Sequence, residues 1–160
     1  MSIEAVRSYF RPLGRERDIL EFPVSSATVE LAAQAVGVIP ARIAKTLSFS
    51  VESGCVLIVC AGDAKIDNSK FKAMFHYKAK MLTADEVLDF TGHAVGGVCP
   101  FGIHNPAVTT YLDVSLRRFD TVYPAAGSSN SAIQLTCDEL AEHARSAGWV
   151  DVCKNWQTAD

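Results

Sequence analysis

Apolar and polar positions follow two different periods along the 160 residues of this chain. Residues 3–13 (IEAVRSYFRPL) place apolar side chains at helical spacing, which predicts a short amphipathic helix with Pro12 near its end. In residues 28–37, Thr28 is positioned to cap a second helix, and Gly37 to stop it. Leu31, Ala32, Ala35 and Val36 fall on one face, while Glu30 complements the positive helix end. The period then shortens. Residues 44–51 and 55–61 read as strands joined by a turn containing Ser53 and Gly54. The stretch CVLIVCA is apolar on both faces, as expected of a central strand.

Helical and extended signals continue to alternate in the second half. Asp67 is placed to cap a helix through Phe75, and Thr83 with Glu86 forms a capping box for a helix ending before Gly92. Three glycines and a proline between Gly96 and Gly102 exclude a helix interior or central strand there and predict a loop. Residues 108–114 and 121–126 are strand-like, and 131–135 form a shorter extended piece. A second capping box, Thr136 with Glu139, opens a last long helix that Gly148 is expected to close, before a terminal strand around residues 149–152. Hairpins mixed with β-α crossings predict an α+β, mixed α/β fold: a mixed parallel and antiparallel central sheet or partial barrel with flanking helices. They do not fit the regular alternation of a doubly wound sheet. No linker or repeat divides the chain, so residues 1–160 are expected to form a single domain.

Composition narrows the class. With 49% apolar residues the chain can bury a substantial core, so disorder and collagen-like repeats are excluded. Five cysteines, Cys55, Cys60, Cys99, Cys137 and Cys153, are odd in number and form no C-x-x-C pair or zinc-finger spacing, and they read as reduced thiols of the cytosol. No apolar run approaches the ~20 residues of a membrane span, and no basic-then-apolar leader opens the sequence. A soluble, cytoplasmic protein without a membrane partner is expected.

The net charge of −3 hides an asymmetry. Residues 1–80 carry 11 basic and 8 acidic side chains, a balance of +3, and residues 81–160 carry 4 and 10, a balance of −6. Two clusters make the first half positive: Arg7, Arg11, Arg15 and Arg17 opposed by Glu16, and Lys65, Lys70, Lys72, Lys78 and Lys80 opposed by Asp67. Each is either a solvated face or part of a surface for phosphates.

The P-loop, dinucleotide, H-E-x-x-H and G-x-S-x-G motifs are absent. His76, His93, His104 and His143 do not pair at i,i+4 spacing and read as surface or loop residues; no metal or other cofactor is implied. Trp149 and Trp156 read as packing residues. Two features stand out. Lys45 opens the strand AKTLSFSV, either as an edge lysine reaching for water or as a cation held in a pocket, where it can bind an anion or polarise a carbonyl. The loop around Gly96 and Gly97 is either a tight connection or a set of backbone donors that a ligand can approach closely.

These residues lie within a longer pattern. The segments S-S-A-T-V-E-L-A-A-Q-A-V-G-V (25–38), I-A-K-T-L-S-F (43–49), V-L-I-V-C-A-G-D (56–63), G-G-V-C-P-F-G (96–102) and A-A-G-S (125–128), with the helix ending near Gly92 and the capped terminal helix, resemble the YbaK/ProX family. The resemblance covers residues 22–152. This family comprises free-standing aminoacyl-tRNA deacylases related to the editing domain of bacterial prolyl-tRNA synthetases. It implies a pocket between the sheet and the glycine loop, and hydrolysis of the ester joining a wrong amino acid to tRNA, with Cys- and Ala-tRNA(Pro) among the substrate types. The partners it implies are the acceptor end of aminoacyl-tRNA and an aminoacyl-tRNA synthetase.

By the same resemblance, Lys45 is the lysine on which activity depends, and the loop Gly96, Gly97, Val98, Cys99 and Pro100 holds the aminoacyl carbonyl or its oxyanion through backbone amides. Thr46 lines the pocket. Gly127, Ser128 and Ser131 belong to a loop in which many members carry a histidine or an acidic residue near the position of Ser131, so this chain departs from the family there. Arg11, Arg15, Lys65, Lys70 and Lys72 are the candidates for contacting the acceptor stem. A thiol mechanism through Cys99 with a histidine base is the rival chemistry. A non-catalytic tRNA- or nucleotide-binding module and a small-molecule ester or thioester hydrolase are the alternative functions.

Overall fold

The computed structural model describes residues 2–52 and 54–156. Ten strands are β1 (Ile19–Glu21), β2 (Ile43–Val51), β3 (Gly54–Ala61), β4 (Lys65–Ile66), β5 (Val108–Asp113), β6 (Thr121–Pro124), β7 (Ser131–Ile133), β8 (Leu135–Thr136), β9 (Trp149–Val150) and β10 (Cys153–Lys154). Five α-helices accompany them: α1 (Ser2–Phe10), α2 (Val29–Val36), α3 (Asn68–Phe75), α4 (Ala84–Thr91) and α5 (Cys137–His143).

Six strands form one mixed sheet in the order β8-β6-β2-β3-β5-β9. β2 and β3 pair antiparallel over eight positions, whereas β2 with β6, β3 with β5, and β5 with β9 run parallel. β1 with β7 and β4 with β10 form two further antiparallel pairs. β3 is buried from Cys55 to Ala61, so its two-sided apolar character fits its place inside the sheet. The β2–β3 turn was expected at Ser53 and Gly54; Ser53 lies outside the described residues, and Gly54 begins β3.

Local capping sets the helix starts. Thr28, Asp67, Thr83 and Thr136 each accept backbone N–H bonds from the turn that follows, and Thr83 with Glu86 and Thr136 with Glu139 form reciprocal capping boxes. Three details differ from the sequence expectation. The first helix stops at Phe10 and continues as a 3-10 turn over Arg11–Leu13, because Pro12 has no N–H to donate to the preceding turn. In α2 the buried positions are Ala32 and Ala33, packed with Val29 and Val36 over Ile43, while Leu31 is 40% exposed. Two alanines allow the helix to approach the sheet more closely than leucine would. The last helix ends at His143, five residues before Gly148, where Arg145 adopts a left-handed φ of 51° and Ser146 N–H bonds back to Ala141 O at 3.1 Å.

Candidate active site

The outer edge of β2 is interrupted. At one end Ile43 and Ala44 pair with Tyr123 and Pro124 of β6; further on, Ser48 accepts from Leu82 N–H at 3.2 Å and Ser50 donates to Lys80 O at 2.8 Å. Because alternate residues of an antiparallel strand turn their backbone groups outward, the backbone of Thr46 faces this same edge. It falls in the gap between the two pairings.

A cavity of about 130 Å³ lies at this interruption. Its walls come from Lys45 and Thr46 on β2, Gly96 and Val98 on the glycine loop, Tyr123 on β6 and Ser131 at the start of β7. The start of α2, from Ser26 to Val29 with Ala32, completes it. No carboxylate, imidazole or thiol lines it among the described residues. What it offers is one ammonium group, several hydroxyls and backbone.

Lys45 is half-buried, and its Nζ donates to Gly62 O at 3.2 Å and to Ala64 O at 2.5 Å. An ammonium has three protons, so two are directed by the turn after β3 and one remains for a ligand. Among the described residues no carboxylate pairs with it. The lysine is held at the pocket wall by backbone carbonyls rather than by an ion pair. Next to it, Thr46 Oγ1 is buried without a hydrogen-bond partner.

The glycine loop packs against the 127–131 segment. Gly96 has φ +98°, a conformation that favours glycine, and a β-carbon on Gly97 would lie 2.8 Å from the Ser128 backbone. The Gly97 N–H donates to Ala94 O at 3.0 Å, so Gly97 contributes close packing and its amide is already engaged. Gly96 and Val98 are the loop residues that reach the cavity. Gly97, Gly127 and Ser128 instead line a second depression of about 580 Å³, with Leu88 and Val95. Ser131 is buried, and its hydroxyl meets Ser128 Oγ at 2.6 Å. Ser26 N–H donates to Ser129 O at 2.6 Å, which ties the lead-in to α2 onto the same segment.

Cys99 and Pro100 lie elsewhere. Pro100 borders a cavity with Tyr9 and Arg145, and Cys99 is fully buried with its Sγ 3.6 Å from His93 Nε2. Burial pushes the Cys99 thiol up to about 12. Cys99, expected at the pocket, is not among the residues lining the β2-edge cavity, and His93 lies in the loop after α4, as expected, but is buried (1% exposed). The thiol is neither ionised near neutrality nor open to substrate, so nucleophilic thiol chemistry has no basis here.

The arginine cluster is largely paired. Arg7 bonds to Glu21, Arg11 makes two bonds to Glu16 at 2.9 and 3.0 Å, and Arg15 bonds to Asp18 at 2.5 Å and Glu139 at 2.8 Å. Lys70 pairs with Asp151 at 3.1 Å, whereas Lys65 and Lys72 are exposed and have no ion pair among the described residues. No group of three or more His, Cys, Asp or Glu among the described residues is arranged to hold a metal ion. Among the described residues no helix is long and apolar enough to cross a membrane.

Sequence reasoning missed the α2 wall and Tyr123. Tyr123 is held from behind by Arg42, whose guanidinium carbon lies 5.4 Å from the ring centre while its Nε donates to Thr121 O at 3.2 Å. Thr28 was legible as a helix cap, but nothing local indicated that the capped end would border the pocket.

Comparison with known proteins agrees with this architecture. The profile of the aminoacyl-tRNA editing domain matches residues 24–143. The uncharacterized protein YwhH of Bacillus subtilis is 57% identical over 159 residues, covering 98% of this chain and all of that protein. Proline--tRNA ligase of Thermotoga maritima is 26% identical over 113 residues, 69% of this chain but 20% of the ligase. A crystal structure described as that of a candidate trans-editing enzyme for prolyl-tRNA synthetase superposes with a TM-score of 0.86 at 30% identity, covering 96% of this chain and 97% of that one. The pocket at the β2 edge is thus carried by a chain that belongs to the aminoacyl-tRNA editing domain family, of the YbaK type that its Lys-Thr-Leu step and glycine loop resemble.

Proposed function

We propose that this protein hydrolyses the ester bond of mischarged aminoacyl-tRNA in trans, with Ala- or Cys-tRNA(Pro) as the substrate type. The observation that carries the reading is the meeting of Lys45, Thr46, Gly96 and Val98 around one small cavity. An aminoacyl ester is already activated, so its hydrolysis requires orientation, one water and stabilisation of the developing oxyanion. Water attacks the carbonyl carbon, and the resulting tetrahedral intermediate collapses with expulsion of the ribose oxygen. That oxygen takes up the proton lost by the attacking water. The products are the free amino acid and tRNA with its terminal hydroxyl restored.

In this mechanism the amides of Gly96 and Val98 are the oxyanion donors, and the remaining proton of Lys45 faces the carbonyl or the terminal phosphate. Thr46 Oγ1, buried without a hydrogen-bond partner among the described residues, is placed to bond the aminoacyl group. Among the described residues no side-chain base lines the cavity, which favours a substrate-borne or solvent acceptor for the water proton. Exposed Lys65 and Lys72 are proposed to contact the acceptor stem, with Lys70 in a lesser part because Asp151 balances it. Arg11 and Arg15, paired as they are, stay at the margin of that footprint.

The test is release of amino acid from Ala-tRNA(Pro), Cys-tRNA(Pro) and Pro-tRNA(Pro), comparing the wild type with Lys45→Ala. Selective release of one wrong amino acid, lost in the variant, is the expected result. Binding of tRNA without release from any of them would instead identify a non-catalytic module.

A further inference from the structure

We propose that His93, which lies outside the pocket, is a positioning residue: its Nε2–H clamps the two feet of the glycine loop and so fixes the Gly96 and Val98 amides. This inference rests on the editing function proposed above. His93 Nε2 lies 2.8 Å from Phe101 O, a bond that spans eight residues and closes the arch 94–100 at its base.

Both feet are anchored. On the first, the Thr91 hydroxyl donates to Val87 O at 2.7 Å and accepts from His93 N–H at 3.0 Å, joining His93 to the end of α4. On the second, the Phe101 ring is fully buried and meets Phe10 of α1 edge-on, with ring centres 5.0 Å apart. The clamp therefore joins two fixed points, and the arch between them is what it holds.

The partners determine the tautomer. Phe101 O can only accept, so a ring nitrogen 2.8 Å from it must carry the proton. Nε2 is thus the donor and Nδ1 the bare nitrogen, and Nδ1 is buried with no partner among the described residues. Burial holds the imidazole below its ordinary pKa, in agreement with a neutral ring. Cys99 Sγ, the other titratable group in contact with the ring, is neutral as well. A buried imidazole with one unsatisfied nitrogen is a costly way to fill space. What an aliphatic side chain could not supply is the N–H to Phe101 O. Preorganised donors lose their effect when displaced, and a shift of about 1 Å can cost about 100-fold in rate.

The experiment compares His93→Leu, His93→Asn and His93→Gln for deacylation kinetics and for amide hydrogen exchange of residues 94–99. Glutamine extends an amide N–H about as far as Nε2, whereas asparagine is too short. His93→Leu and His93→Asn are expected to lower kcat about 10- to 100-fold with the KM for charged tRNA within about twofold, and to speed exchange in the arch. His93→Gln is expected to restore most of both. The clamp is overturned if Leu and Asn leave kcat and arch exchange at wild-type values, or if Gln, folded by its thermal transition, behaves as Leu does. If wild type releases no amino acid from any charged tRNA, the editing function fails instead, and the exchange contrast between Leu and Gln still decides the clamp.

Discussion

Gly97 and Ser128 are in backbone contact so close that a β-carbon on Gly97 would stand 2.8 Å from both the Cα and the N of Ser128. The neighbouring Gly96 has more room, its nearest neighbours at 3.7 and 3.8 Å, but has φ +98°. The two glycines are therefore required for different reasons. Gly97→Ala must separate the loop from the 127–131 segment and is expected to lower stability by about 1–3 kcal/mol and to impair deacylation as the cavity wall shifts. Gly96→Ala meets backbone strain of about 1–2 kcal/mol without collision. Thermal unfolding and kcat measured on both variants check this, and a Gly97→Ala protein with wild-type values in each would contradict the close packing.

Lys45 is oriented by Gly62 O and Ala64 O, so its replacements should differ in kind. Lys45→Ala removes the cation and is expected to lower kcat by roughly 100- to 1,000-fold, the range for loss of one preorganised donor. Lys45→Arg keeps the charge, but a planar guanidinium cannot direct two bonds to those carbonyls and a third to substrate as an ammonium does. Partial rescue at most is expected. Single-turnover hydrolysis of a mischarged tRNA separates the cases, and full activity in Lys45→Ala would remove the lysine from the mechanism.

Much of the frame is encoded locally, which is why it was legible. Thr83 with Glu86, and Thr136 with Glu139, are four-residue signals whose hydrogen bonds close within one turn, and both helices start where these signals place them. Lys45 and the Gly96 loop stood out for a similar reason, a cation at the start of a strand and three glycines with a proline within seven positions. What was not legible depends on how the folded chain brings side chains together. The burial of His93 arises from Phe101 and Cys99, and the pairing of Arg15 from Glu139, 124 residues away. The sequence pattern puts Leu31 on the apolar face of α2 where the structure buries Ala33, because both sets have helical spacing and only the approach of Ile43 selects between them.

Cys99 is fully buried, and its thiol is pushed up to about 12. Cys99→Ala and Cys99→Ser are accordingly expected to keep deacylation within about threefold of wild type, as substitutions outside the reacting groups. Iodoacetamide at neutral pH should leave the native protein active, because neither thiolate nor access is available. A loss of about 100-fold in Cys99→Ala with an unchanged thermal transition would restore a thiol mechanism.

His93 also predicts a pH dependence of stability. Its folded pKa lies below the ordinary value of 6.5, chiefly through burial and against a smaller opposing effect of Phe101 O. Between the two values the unfolded chain binds the proton that the folded chain refuses, so stability rises with pH across that interval. The contribution is fully present above about 6.5 and is lost as pH falls below it. Glu139, held below 4.5 by the Thr136 amide and Arg15, acts in a separate, more acidic window. Denaturant unfolding between pH 7.5 and 5 should show a decline in wild type that His93→Gln flattens, and equal slopes in the two proteins would contradict a buried neutral imidazole.

The arrangement of charges leads to a prediction about tRNA binding. A basic side chain that neutralises a phosphate releases counterions, and its loss flattens the salt dependence of binding by about 0.9 in the log–log slope for a duplex contact. Lys65 and Lys72 are exposed and have no ion pair among the described residues, so Lys65→Glu with Lys72→Glu should weaken acceptor-stem binding and reduce the slope by about 2. Arg11 is joined by two bonds to Glu16, and Arg15 bridges Asp18 and Glu139. Arg11→Gln and Arg15→Gln should therefore change stability more than the salt slope, with Arg15→Gln the more damaging because its bonds fasten the N-terminal segment to α5. If the arginine variants flatten the slope and the lysine pair does not, the tRNA lies across the N-terminal face and the ion pairs open to receive it.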